Sequence, residues 1–286
     1  MKKFSWAMLA LALVLGLAFV GCSNGSTESD SAFDKVYDVS TNAALTAAIN
    51  EVHGNAGKYL IKVSGNLTDF PGGNVGNAGV DVTIRGTGSN KITWKYEQSS
   101  DHAFVVDAGK LTLEKINVVC TASPSSFNSV IYIMNGGTLE MKDGAVISGD
   151  GPIPIMGVNP SGNATFIMSG GTIENVHRPV DAVGANGIIT ITKGTIRNAE
   201  YAAIELYQCT SATVTISGGD ISAKGPGIAI SGSNNTVTIS GGKISGELLN
   251  GVYVSGGSGH TITKTGGTVT GGYAIAEGAL ATFTGF

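Results

Sequence analysis

V-T-I-S-G-G-D-I-S at 214–222 and V-T-I-S-G-G-K-I-S at 237–245 are nearly the same phrase. Looser copies stand at 166–174 (F-I-M-S-G-G-T-I-E), 189–197 (I-T-I-T-K-G-T-I-R) and 262–270 (I-T-K-T-G-G-T-V-T). Their central residues Met168, Ile191, Ile216, Ile239 and Lys264 follow at intervals of 23, 25, 23 and 25. A repeat of that length marks a stacked architecture, in which each unit buries its apolar face against its neighbours. Within the phrase Val237 and Ile239 point one way and Thr238 and Ser240 the other, the period of a half-buried strand. Gly241-Gly242 then turns a sharp corner, and Ile244 restarts an inward position in a second short strand.

A third strand precedes each phrase, at 203–207 (A-I-E-L-Y), 227–231 (G-I-A-I-S) and 251–255 (G-V-Y-V-S). Three strands and three turns in about 24 residues make one coil of a parallel β-helix, each strand bonding to its equivalent at ~4.8 Å spacing. Less regular coils come earlier, with central residues Ile84, Leu113 and Met141. Their longer intervals predict emerging loops, such as the one at 123–128. The last alignable strand is Thr282-Phe283-Thr284, which predicts an open outer edge and frayed final coils. The expected fold is all-β: a single-stranded right-handed parallel β-helix of about nine coils, roughly 40 Å long. Before the first coil, 40–54 reads as a capping helix. Ser40 or Thr41 supplies the N-cap, Leu45, Ile49 and Val52 share one face, and Gly54 ends it.

The first 21 residues read as an export signal, with Lys2 and Lys3 ahead of an apolar run too short to span a membrane. The run closes on Phe19-Val20-Gly21-Cys22, which resembles the lipobox of bacterial lipoproteins. Gly21 and Cys22 match that pattern, and Phe19 in place of the usual Leu is a relaxation found in groups such as spirochaetes. The resemblance implies an acylated Cys22, and hence a chain lipid-anchored to a bacterial membrane, with the outer membrane and cell surface as the expected address. Residues 22–33 are polar and read as a flexible tether, and 34–286 as the folded domain.

The 17 basic residues less Lys2 and Lys3 leave 15 against 21 acids, a mature balance of −6. No basic cluster stands out, which argues against a nucleic-acid partner. Cys120 and Cys209 lie about three repeats apart, roughly 14 Å, too far for a disulfide.

The capping helix, 58–65 (K-Y-L-I-K-V-S-G), 82–88 (V-T-I-R-G-T-G) and the coils of about 24 residues together resemble the pectate-lyase-like superfamily. That resemblance covers 38–286 and implies a fold rather than an activity, since the scaffold serves adhesins as well as polysaccharide lyases and hydrolases. On the outward face of the third strand the side chains expected in order are Tyr132, Pro154, Asp181, Glu205, Ala229 and Tyr253. Asp181 and Glu205 fall on neighbouring coils, about 5 Å apart, a spacing compatible with a retaining glycosidase pair. His177 and Arg178 stand just upstream. Against this, no third acid joins the pair, and two exposed acids on a sheet are ordinarily a solvated face. Tyr132, Tyr207 and Tyr253 offer aromatic area for sugar rings. Thr190/Thr192, Thr215/Ser217, Thr238/Ser240, Thr263/Thr265 and Thr282/Thr284 form an outward hydroxyl array that resembles β-helical ice-binding proteins, although exposed strands favour Thr without any function. No nucleotide, metal or cofactor motif is present, and His53 and His260 have no partner at ligand spacing. The expectation is a non-enzymatic surface lipoprotein with a protein or polysaccharide partner and no cofactor. The alternative is a carbohydrate-active enzyme working at Asp181 and Glu205.

Overall fold

The protein is described here by a computed structural model covering residues 27–95, 102–121 and 128–286. The stretch expected to be an export signal, Cys22 and the start of the expected tether lie outside the described residues. The chain winds into a parallel β-solenoid of about ten turns. Three walls of strands run its length, and each strand pairs in parallel with its counterpart one turn away. The first wall begins at Lys35–Val39, Gly57–Val63, Val80–Arg85 and Lys110–Glu114, and continues through the repeated phrase to Ala281–Thr284. The second follows the glycine corner, and the third contains Ser129–Met134, Ile204–Thr210 and Ile228–Ser233.

The central residues of the repeat are in register as the sequence implies. Ile84 pairs with Leu113, Leu113 with Met141 and Met141 with Met168. The line continues through Ile191, Ile216 and Ile239 to Lys264. From Ile84 to Ile239 these side chains are fully buried, stacked along a single apolar core. Lys264 is half-buried, so its long stem occupies an inward position near the end of the rod while its ammonium reaches toward water.

The paired glycines of the corner have two different causes. A Cβ on Gly241 would stand 2.2 Å from the Ser217 carbonyl oxygen of the preceding turn, so close stacking excludes any side chain. Gly242 sits at φ +79°, in the left-handed region that other residues enter at a cost. The first glycine therefore answers to packing between turns and the second to backbone conformation.

The helix spans Asn42–Val52, with the Thr41 hydroxyl accepting from the Ala44 N–H. Leu45, Ala48, Ile49 and Val52 are buried in the same core cluster as the strands. Ahead of it lies Lys35–Val39, a strand that carries no copy of the repeated phrase and pairs with Tyr59–Val63. Residues 27–33, polar by composition, lie against the first wall rather than away from it. Asp30 pairs with Lys62 and Arg85, and Glu28 with Lys58.

At the other end, Ala281–Thr284 pairs with His260–Thr263, which places Thr284 beside Thr263 and Thr282 beside Thr261. The Tyr273 and Phe283 rings stack at 3.9 Å, and Phe286 meets both edge-on.

Candidate functional site

The third wall's outward positions set two acids, the only ones of that column among the described residues, side by side. Asp181 is in register with Glu205, Glu205 with Ala229, and Ala229 with Tyr253. Tyr132 pairs with Asn159, and the pairing of Val158 with Val180 puts Asn159 next to Asp181. Asn159, not Pro154, therefore holds the position before Asp181. The reason is an insertion: the nine residues from Ser148 to Met156 face only the five from Glu174 to Arg178, with two register shifts between them. A bulge of this kind resets the phase of every later residue in its turn.

The acids are not a solvated face. Asp181 is 1% exposed and Glu205 7%. Arg178 lies over both: its Nη1 donates to Asp181 Oδ2 at 3.4 Å, and its Nε is 2.7 Å from Glu205 Oε2. The latter is an ion pair whose direction lies off the N–H axis, so the charges attract without a directed hydrogen bond. The guanidinium in turn sits 5.0 Å from the centre of the Tyr201 ring, a cation–π contact, and Tyr201 stacks on His177. Asp181 Oδ1 and Asn159 Oδ1 are buried without a hydrogen-bond partner among the described residues.

One arginine thus serves two buried carboxylates. Burial pushes Asp181 up to about 6, with Arg178 pulling in the opposite direction. Glu205 is pushed up to about 7, first by burial and then by the negative charge of Asp181. Near neutral pH the pair accordingly shares its negative charge with a proton. Burial also raises the nearby Cys209 thiol to about 12, and its Sγ donates to the Ala182 carbonyl. Cys209 is therefore an unreactive thiol, and both it and Cys120 are buried.

The tyrosines divide. Tyr207, in register with Val183, is 48% exposed and presents an open ring. Tyr132 is half-buried and stacked on His102 at 4.9 Å, and Tyr253 is half-buried. They do not form one continuous platform, because Asn159, Asp181, Glu205 and Ala229 separate Tyr132 from Tyr253 along the column. Tyr201 escapes a period-based reading, since it belongs to a turn. So does the role of Arg178, although its spacing three residues before Asp181 is a visible signal.

His260 is buried, bonded to the Asn235 N–H and the Gly256 carbonyl, and His53 contacts the Asn74 carbonyl. Among the described residues no cluster of three His, Cys, Asp or Glu has the arrangement of a metal site. No family profile, curated protein or solved structure matches this chain.

Proposed function

We propose that this chain is an exported lipoprotein, held on a bacterial outer membrane by acylated Cys22. There it displays a solenoid of the pectate-lyase-like type to a polysaccharide or protein partner, without catalysing a reaction. The observation that carries the non-enzymatic part is the closure of Asp181 and Glu205 beneath Arg178 and Tyr201. A glycosidase pair must let one carboxyl reach the sugar carbon and the other the leaving oxygen. Here both carboxyls are withdrawn from solvent and spend their charge on one arginine. The open ring of Tyr207 is the better contact for a sugar or a protein surface, since a flat amphipathic ring offers large area at small entropic cost.

The anchor rests on the Gly21-Cys22 ending of the apolar run. Cys22→Ser is expected to move the protein from the membrane fraction to the soluble fraction and to abolish incorporation of labelled palmitate. Unchanged detergent partitioning of the variant would remove the lipoprotein reading.

A second reading has one observation in its favour. Carboxyls titrating near 6 and 7 match what general acid catalysis needs at neutral pH. On that reading Asp181 and Glu205 would act on a polysaccharide once Arg178 and Tyr201 moved aside.

A further inference from the structure

The segment 27–34 is fixed to the first wall. The Asp34 N–H donates to the Lys58 carbonyl at 2.8 Å, and Phe33 is buried under the cations of Lys58 and Arg85. Further back, Asp30 takes Lys62 and Arg85, Arg85 Nη2 donates to the Glu28 carbonyl at 2.9 Å, and Lys115 Nζ donates to Thr27 Oγ1 at 2.8 Å. Lys115 follows the fourth strand of the first wall. The segment therefore crosses the outer face of that wall, travelling away from the helix end. Thr27, the first described residue, stands on the flank of the rod beside Lys115. Four residues lie between Cys22 and Thr27, five steps of chain with a reach of at most ~17 Å.

The same wall has a second property farther along. From 165 to 284 its outward strand positions carry one charged side chain, Lys193, in line with Ser169 and ion-paired with Asp143, and none from Thr213 onward. Thr213, Thr215, Thr236, Thr238, Thr261 and Thr263 form two ranks of hydroxyls there, each in register with the next turn. Ile188, in line with Thr213, is 44% exposed. The second wall differs: over the same turns its outward positions include Glu174, Arg197, Asp220 and Lys243.

We infer that the uncharged stretch of the first wall docks on the headgroup layer of the bilayer that holds the anchor, so that the rod lies along the membrane. This rests on the acylation of Cys22. An upright rod would need all four linking residues stretched back over the segment that is already bound to the wall. A recumbent rod needs only a short descent from Thr27. Threonine hydroxyls can donate to phosphate and ester oxygens, while their methyls and Ile188 meet the acyl boundary. No charge has to be desolvated. Each contact is weak, but tethering turns docking into an intramolecular event at high effective concentration. The second and third walls, with Tyr207, then face away from the membrane toward a partner.

The test uses the acylated protein reconstituted on a supported bilayer containing phosphatidylglycerol, with mass spectrometry confirming the acyl group and neutron reflectometry giving the depth of the protein layer. The native protein and a second-wall control, Ser222→Glu with Thr270→Glu, are expected to form a layer one rod width deep. Thr215→Glu with Thr263→Glu, which sets two carboxylates against the anionic surface, is expected to thicken it toward the rod length of ~48 Å. An acylated native layer already that deep overturns the inference, as does a wall variant that leaves the layer unchanged. A wall variant that acts by dissolving dimers, or thermal hysteresis in the Cys22→Ser protein, assigns the wall to a second copy or to ice and also overturns it. A chain carrying no acyl group on Cys22 overturns both this inference and the anchored reading. A deep layer from an acylated chain overturns this one alone.

Discussion

Arg178→Met is expected to destabilise the protein by about 3–5 kcal/mol at pH 8, the usual cost of leaving buried charge without its partner. At pH 5 the loss should fall to about 1–2 kcal/mol, the scale of a lost cation–π contact and its packing. The difference follows from proton linkage. Asp181 and Glu205 hold protons more tightly in the folded chain, at about 6 and about 7, than their ordinary values of 3.8 and 4.5. Folded pKa values above the unfolded ones make stability fall as pH rises through that window, from about 4 to about 7. The contribution is on the order of 3 kcal/mol for each carboxyl, at roughly 1.4 kcal/mol per pKa unit. Removing Arg178 takes away the only influence that lowers both values, so the decline becomes steeper. Asp181→Asn with Glu205→Gln should flatten it. Chemical denaturation of the three proteins at pH 5 and pH 8 checks this. Equal losses for Arg178→Met at both pH values would mean that the arginine acts through packing alone.

Ile239→Ala is expected to cost about 2–5 kcal/mol, because its side chain is fully buried between Ile216 and the Lys264 stem and the stack cannot close over the gap. Thr238→Ala, one residue earlier and outward, should cost less than about 1 kcal/mol. Thermal melts of the two variants separate inward from outward positions directly. Similar melting would mean that the phase of the repeat has been misassigned.

The repeat made the stacking register legible because identical side chains must meet identical side chains when each turn rests on the next. Ile84, Leu113, Met141 and Met168 fall into line even where the intervals lengthen, since the extra residues leave at corners and do not alter the strands. The same logic fails where a turn carries an insertion inside its strands. The extra residues between Ser148 and Met156 put Asn159 at the place expected for Pro154. The burial of Asp181 and Glu205 was equally invisible, because their cover comes from Arg178 and Tyr201, which stand outside the strand alternation. Nor did composition reveal that residues 27–33 bind the wall: long-range ion pairs leave no local pattern, and a stretch of Ser, Asp and Glu reads as solvated chain. The strand Lys35–Val39 escaped because the helix interrupts the turn it opens. The hydroxyl array was visible, and Thr190, Thr215, Thr238 and Thr263 do fall in register, but its second rank is Thr213, Thr236 and Thr261 rather than the serines, because Ser217 faces Gly241 at the corner.

The central claim is that the Asp181–Glu205 pair is a closed structural cluster on a display rod. The most direct measurement is product release from a panel of plant and bacterial polysaccharides, followed by reducing ends and unsaturated sugars, with native protein and Asp181→Asn compared at pH 5 to 8. The account predicts no product above the heat-inactivated control from either protein. Release of product by the native protein that disappears in Asp181→Asn, with the variant still folded, would contradict it and place catalysis at this pair.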